Sequence, residues 1–283
     1  MTKKEWSMRS DGILVAIVGL GILTGGFGCT NGYAEQIDST SDQADGDENG
    51  TSPGRKIVMQ AIEEAGGLER WRQTDSVAYD QISKSYGPEG KKVESRTEKR
   101  VRIEMSPGLR VRIDYESNGK SVAIGFDGER GWKTVGGEPE LDRSSRNHAR
   151  NASFGTHFML GLPFKLADPG TNYQRLESEE GFKRVRITYD EGTGDAPMHT
   201  YVYRFESDPI RVHRAWISDS RKTVVVEFSD FRTINGLTLA TRRVRFGSNQ
   251  KRDRLTRQAE SKLENIGLGR GFDDDIFAYP DQK

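Results

Sequence analysis

The chain has 283 residues, and 43 lysines and arginines balance 43 aspartates and glutamates, so its formal net charge is zero. That balance excludes a general pull toward polyanions, and no nucleic-acid partner is expected. Hydrophobic residues make up 33% and charged residues 30%, enough apolar material for a folded core but with much of the charge left on a wetted face.

Residues 1–28 read as a signal peptide of the lipoprotein type. Lys3, Lys4 and Arg9 precede the apolar run Ile13–Leu23, and small residues lead to Cys29. The run is too short to span a bilayer and suits a signal-peptide core. The cysteine and Gly28 resemble a lipobox, although Gly26 stands where leucine is usual and Phe27 is bulky. Cleavage and acylation at Cys29 would give a lipid-anchored protein, and Thr30 in place of aspartate implies the periplasmic face of the outer membrane. Two alternatives stand beside this: plain secretion with cleavage after Gly32-Tyr33-Ala34, or an uncleaved anchor. Cys29 is the single cysteine, so an intramolecular disulfide is excluded.

Residues 29–54 are polar and acidic, with almost no large apolar side chains, and are expected to form a flexible tether. Asp45, Asp47, Asn49 and Gly50 imitate the start of a calcium loop, but Lys56 falls where a bidentate carboxylate is required. Neither a metal nor a cofactor is expected.

A single domain is expected over 55–280. Ile57, Val58, Ala61, Ile62 and Ala65 recur at helical spacing over Arg55–Ala65, and Gly66-Gly67 stop the helix. Leu68–Trp71 predicts a short turn with Trp71 folded onto a sheet. From Ser76 the period becomes two: Val101, Ile103 and Met105, then Leu109, Val111, Ile113 and Tyr115, alternate with charged residues. One buried and one wet face means antiparallel sheet. Pro107-Gly108 predicts a type II turn, and Asn118-Gly119 and Asp127-Gly128 predict hairpins. Val122–Phe126 and Trp132–Val135 complete a first meander of about five strands.

The stretch Phe154–Gly170 breaks the alternation. Asp142 or Ser144 can cap a helix running to Leu160 with Phe154, Phe158 and Met159 on its inner side, and Pro163 and Asp168-Pro169 then force turns. A second meander follows, over 173–178, 182–189, 200–205, 212–217, 223–231, 237–246 and 255–266, with Asn235-Gly236 as a further hairpin. The end, Phe272–Pro280, predicts a short turn whose Phe277 and Tyr279 plug one end of the sheet. The fold class is α+β: one large curled antiparallel sheet with a helical segment filling its concave side.

Three stretches together resemble uncharacterised secreted lipoproteins of the superfamily that includes the periplasmic lipoprotein carrier LolA and the receptor LolB. They are Ala61–Trp71 (AIEEAGGLERW), Gly161–Gly170 with Phe228–Phe246, and Asn265–Pro280 (NIGLGRGFDDDIFAYP). Ala240 departs from the proline expected after the Asn-Gly hairpin. The resemblance implies an unclosed β-barrel of about eleven strands with helices across its mouth, enclosing an apolar cavity.

Catalytic signatures are scarce. His148, His157, His199 and His213 form no HExxH pair, and G-x-S-x-G is absent. Gly267-Leu-Gly269-Arg-Gly271 lacks the strand-turn-helix setting of a phosphate loop. Asp273–Asp275 suits a capped helix start better than a metal site. Lys99–Arg102 and Arg242–Arg245 are basic but neighbour acidic residues, which predicts a solvated sheet face. The remaining candidates are apolar: Trp132, Phe154, Phe158, Met159, Leu160, Phe164, Tyr203, Trp216, Val226 and Phe228 would line a pocket for a lipid or acyl chain, or pack as solid core. The expected function is a non-enzymatic, monomeric envelope lipoprotein binding a lipid or acylated protein. A protein-interaction or sensing module with a filled core is the alternative.

Overall fold

In the computed structural model, residues 52–190, 200–218, 223–248 and 255–279 are described. Cys29, the leader, the acidic stretch up to residue 51 and His199 therefore lie outside the described residues.

Alternation dictates the strands. The first meander comprises β1 (Ser76–Tyr86), β2 (Val93–Glu104), β3 (Arg110–Ser117), β4 (Lys120–Phe126), β5 (Gly131–Val135) and the two-residue β6 (Glu138–Pro139). The second comprises β7 (Thr171–Glu179), β8 (Phe182–Tyr189), β9 (Thr200–Phe205), β10 (Val212–Ser218), β11 (Thr223–Ile234), β12 (Leu237–Ser248) and β13 (Leu255–Leu268). Together they form one 13-stranded antiparallel sheet in the order β6-β5-β4-β3-β2-β1-β13-β12-β11-β10-β9-β8-β7. The two meanders thus meet at the β1–β13 pair, where Gln81 opposes Leu263 and Ser83 opposes Ser261. The sheet curls without closing. Its edges are β6, which is very short, and β7, which carries Asn172, Glu177 and Glu179, features that discourage edge pairing.

Turns follow residue chemistry. Asn118-Gly119 and Asn235-Gly236 have both residues at positive φ, as a two-residue hairpin turn requires. Glu180-Gly181 does the same between β7 and β8. At Asp127-Gly128 only the glycine has positive φ, and the Asp127 carboxylate instead accepts from the backbone N–H groups of Glu129 and Arg130 (2.9 and 2.7 Å). The type II turn expected at Pro107-Gly108 is not formed, because Gly108 does not take positive φ.

The helices are α1 (Pro53–Glu64), α2 (Leu68–Arg72) and α3 (Arg143–Leu160). Ser52 caps α1 by accepting from Arg55 N (3.2 Å), and Ile57, Val58, Ala61 and Ile62 are its buried side. Gly66 ends it against the β11–β12 turn, so close that a Cβ there would lie 2.0 Å from the Gly236 carbonyl. Trp71 of α2 stacks on Phe164 (5.0 Å) in a 3₁₀ turn after α3, rather than on the sheet.

Asp142 caps α3, accepting from Ser145 N (2.9 Å). Ala149, Ala152, Gly155, Phe158 and Met159 are buried on the helix. A Cβ on Gly131 would sit 2.3 Å from the Arg146 carbonyl, so α3 rides directly on the β5 backbone. Coming between β6 and β7 in the chain, α3 links the two open edges and fills the inner side of the sheet. Among the described residues, no helix is long and apolar enough to cross a membrane.

Candidate functional site

The inner face follows from register. Val101, Ile113 and Ile124 are cross-strand partners on β2, β3 and β4. Across the β1–β13 seam, Ala259 and Ser261 of β13 oppose Arg245 and Arg243 of β12, which in turn oppose Val226 and Phe228 of β11. These residues share one side of the sheet with α3. Between them lies a cavity of about 110 Å³. Val101, Ile113, Ile124 and Val226 supply its apolar wall, and His148, Ala152, Gly155, Thr156 and Met159 of α3 its roof.

The other wall is cationic. Arg243 is only 9% exposed, and Lys99 and Arg245 border the same cavity. The Nε atoms of Arg243 and Arg245 have no hydrogen-bond partner, and neither guanidinium forms an ion pair among the described residues. Glu260 also borders the cavity, but its carboxylate is engaged by Arg242 Nε (2.9 Å) and the Tyr86 hydroxyl (2.8 Å). Burial pushes the Lys99 ammonium down to about 8 and lowers Arg243 and Arg245 from their usual range. The Tyr79 hydroxyl, also without a partner, is pushed up to about 12 by burial, with Arg243 opposing.

The residues singled out from sequence fall into separate places. Met159 and Val226 border the cavity. Phe158 packs beside it on Tyr201 (5.7 Å) and Tyr189 (6.5 Å), and Tyr203 stacks on Tyr201 (5.9 Å). Leu160 and Phe164 are 1% exposed, the latter stacked on Trp71. Phe228 opposes Arg243 but borders a second, smaller gap of about 20 Å³ beneath α1. Phe154 is half-buried, edge-on to Phe126 (5.0 Å) and beneath Arg150.

Trp132 and Trp216 lie on the opposite side of the sheet. Trp132 pairs in register with Gly125, itself the partner of Arg112, and its Nε1 donates to the Phe277 carbonyl (3.0 Å). Trp216 pairs with Val202 and Val225 on that side, beneath Arg214. The C-terminal turn Asp274–Phe277 does seal this region: Phe277 is 1% exposed, Arg112 donates to the Ile276 carbonyl (3.0 Å), and Tyr279 rests under Arg130.

The solvated-face reading of the basic runs holds for alternate residues only. Arg242 and Arg102 are on the outer side, paired with Glu260 and Asp114 (2.7 Å for the latter), while Arg243, Arg245 and Lys99 turn inward. The missed signal is strand phase. Leu237 and Leu239 are buried, so on β12 positions 241, 243 and 245 share their side. A larger trough of about 1360 Å³ crosses the outer side, but its Arg100, Arg102 and Arg112 pair with Asp80 and Asp114, so it is the wet face of the sheet.

Nothing in the cavity forms a catalytic dyad. His148 Nε2 is unpartnered, burial lowers its pKa, and among the described residues no serine or aspartate is hydrogen-bonded to it. Among the described residues, no group of three or more His, Cys, Asp or Glu is placed to hold a metal.

Fold and site together define an unclosed antiparallel half-barrel with a helix laid into it over a partly charged cavity. No family model and no curated protein matches the sequence. Solved structures match the fold. A LolA superfamily protein from Nitrosomonas europaea aligns with TM-score 0.52 and 14% identity over 81% of this chain and 98% of that one. A DUF1329 family protein from Desulfovibrio piger aligns with TM-score 0.51 and 13% identity over 81% of this chain and 98% of that one. The fold is LolA-like.

Proposed function

We propose that this chain is a non-enzymatic protein of the bacterial cell envelope that binds a lipid, an acyl chain or the acylated part of a protein inside its half-barrel. Acylated Cys29 would hold it at the periplasmic face of the outer membrane as a monomer. The observation that carries this reading is the cavity of about 110 Å³ between α3 and the inner sheet face, bounded by Val101, Ile113, Ile124, Met159 and Val226. A void of that kind forfeits contacts that a filled core would make, and its apolar wall accepts an apolar guest. Met159 is a flexible roof that can remould around it. The partner-binding alternative requires a contiguous exposed apolar patch. Among the described residues, the large apolar side chains left exposed are Val93 and Leu141, on separate segments.

The test is native mass spectrometry of the full chain, taken from the envelope in mild detergent, before and after solvent extraction. A stoichiometric lipid-sized mass that disappears on extraction is expected, over a protein mass that begins at an acylated Cys29. A chain that arrives empty and ignores added acyl probes overturns the binding reading. An unacylated cysteine, or a chain starting beyond it, overturns the anchor.

A further inference from the structure

We infer that the ligand of the half-barrel is an anionic amphiphile, its carboxylate or phosphate head seated between Arg243 and Arg245 and its chain lying along the apolar wall toward Met159. This rests on the acyl-binding reading above and names the ligand's chemical class.

A cation taken out of water is ordinarily matched by a carboxylate or a set of acceptors, because desolvating it alone is costly. The outer side of this sheet obeys that rule: Arg102 with Asp114, Arg110 with Asp274, Arg204 with Glu180, and Arg242 with Glu260. The inner side breaks it at Arg243 and Arg245. Both line the cavity and neither has a carboxylate among the described residues, whereas Arg184, Arg204 and Arg214, whose Nε atoms also lack an acceptor, each pair with one. Lys99 borders the cavity from β2, adding a third positive group. Gln81 and Ser261 flank the arginines as neutral hydrogen-bonding groups, and the hydroxyl of buried Tyr79 is an unpartnered donor nearby, within the field of Arg243. The site is thus rich in donors, and the carboxylate that borders it, Glu260, is already engaged by Arg242 and Tyr86.

Two guanidinium forks two residues apart on one strand suit a planar carboxylate or a phosphate, which they can grip in bidentate fashion. A free inorganic anion would use the forks alone. It would have no use for the adjoining wall of Val101, Ile113, Ile124, Val226 and Met159. An uncharged acyl ester would use the wall and leave the arginines buried and unmatched. The two halves of the cavity are satisfied together by one molecule with an anionic end and an apolar tail.

The test uses the full chain in mild detergent, freed of endogenous lipid, with tritiated palmitate, 1-hexadecanol and lysophosphatidate as separate probes and inorganic phosphate as competitor. Palmitate, lysophosphatidate or both should bind at least tenfold more tightly than 1-hexadecanol. Arg243→Met and Arg245→Met should each remove most of that preference while leaving 1-hexadecanol binding within about threefold of the parent. Whichever of palmitate and lysophosphatidate binds more tightly identifies the head group as carboxylate or phosphate. Equal binding of all three probes overturns the anionic inference and leaves acyl binding standing. Failure of all three overturns both. Inorganic phosphate that binds as tightly as lysophosphatidate, with no gain from the acyl chain, overturns the amphiphile in favour of a free-anion site. The comparison among probes on the unaltered chain stands even if a variant fails to fold.

Discussion

Arg243 opposes Phe228 across the β11–β12 ladder and has Tyr79 as its electrostatic neighbour. A side chain kept there for packing would lose stability when altered. One kept for a ligand is a cost to the empty protein, because its charge is desolvated without a counter-ion. Arg243→Met retains most of the length and removes the charge. The empty variant is expected to be more stable by about 1 kcal/mol, which for a domain of this size raises the thermal midpoint by about 2–4 °C. Differential scanning calorimetry of delipidated protein reads this, and a lowered midpoint would contradict it. His157, in the last turn of α3, makes a second residue-scale case. Burial, and after it the charge of Lys165, pushes its pKa down from 6.5 to about 3. The unfolded chain therefore binds this proton near pH 6.5, whereas the folded chain resists it until near pH 3. The stability gained by keeping His157 neutral is complete above about pH 6.5 and drains away as pH falls toward 3. The thermal midpoint should fall between pH 7 and pH 4 more steeply for the parent than for His157→Gln. Parallel profiles would mean that His157 is not held neutral by burial.

The fold hangs on a few places where backbones touch. At Gly66, φ is +114° and a Cβ would meet the Gly236 carbonyl. Gly66→Ala should cost about 1–3 kcal/mol from the backbone conformation alone, and more from displacing the β11–β12 turn. Urea denaturation measures it, and a loss of only a few tenths would show that the helix end and the turn are not packed as described. The strands were legible in the sequence because each carries its own alternation: β8 and β9 begin and end at the residues that alternation selects. β6 was not, since two residues carry no period. Nor was the Glu180-Gly181 turn, where an ordinary acidic residue takes positive φ beside the expected glycine. Faces were harder to read than strands. Trp132 follows Gly131, and the inner side of β5 belongs to Gly131 because α3 needs that space, so the tryptophan goes outward over Gly125. Local charge concealed the inward arginines: Arg242, Arg243 and Arg245 read together as a wet run, although the phase set by Leu237 and Leu239 separates them. Of the apolar candidates only Met159 and Val226 reached the cavity wall, none of the aromatic ones did, and its cationic half lay in residues ordinarily assigned to solvent.

At the scale of the molecule, two meanders share one seam at β1–β13, and α3 runs between their open edges. The helix is seated mainly on the first meander. Gly131 lets it touch β5, and Lys133 Nζ and Ser145 Oγ converge on Glu140 (2.7 and 2.8 Å) at its start. Toward its end, Phe158 reaches across to Tyr189 and Tyr201 of the second meander. The cavity beneath it, about 110 Å³, is small for a ligand site, since pockets that hold drug-sized molecules span about 300–1,000 Å³. A long acyl chain therefore enters only if α3 moves, and the Gly131 contact and the Glu140 bonds hold its N-terminal half on β5. Hydrogen exchange can see this: palmitate should change the exchange of amides in Thr156–Leu160 and leave those of Arg143–Arg146 alone. Ala152→Leu supplies the complementary test, because Ala152 faces the void and is otherwise buried. Filling a void that exists only as a packing defect would add stability and change nothing else. Filling a ligand's entrance should hold or raise the thermal midpoint while weakening palmitate at least tenfold. If Ala152→Leu binds palmitate as the parent does, the chain lies elsewhere in the half-barrel, and the roof formed by α3 is structural.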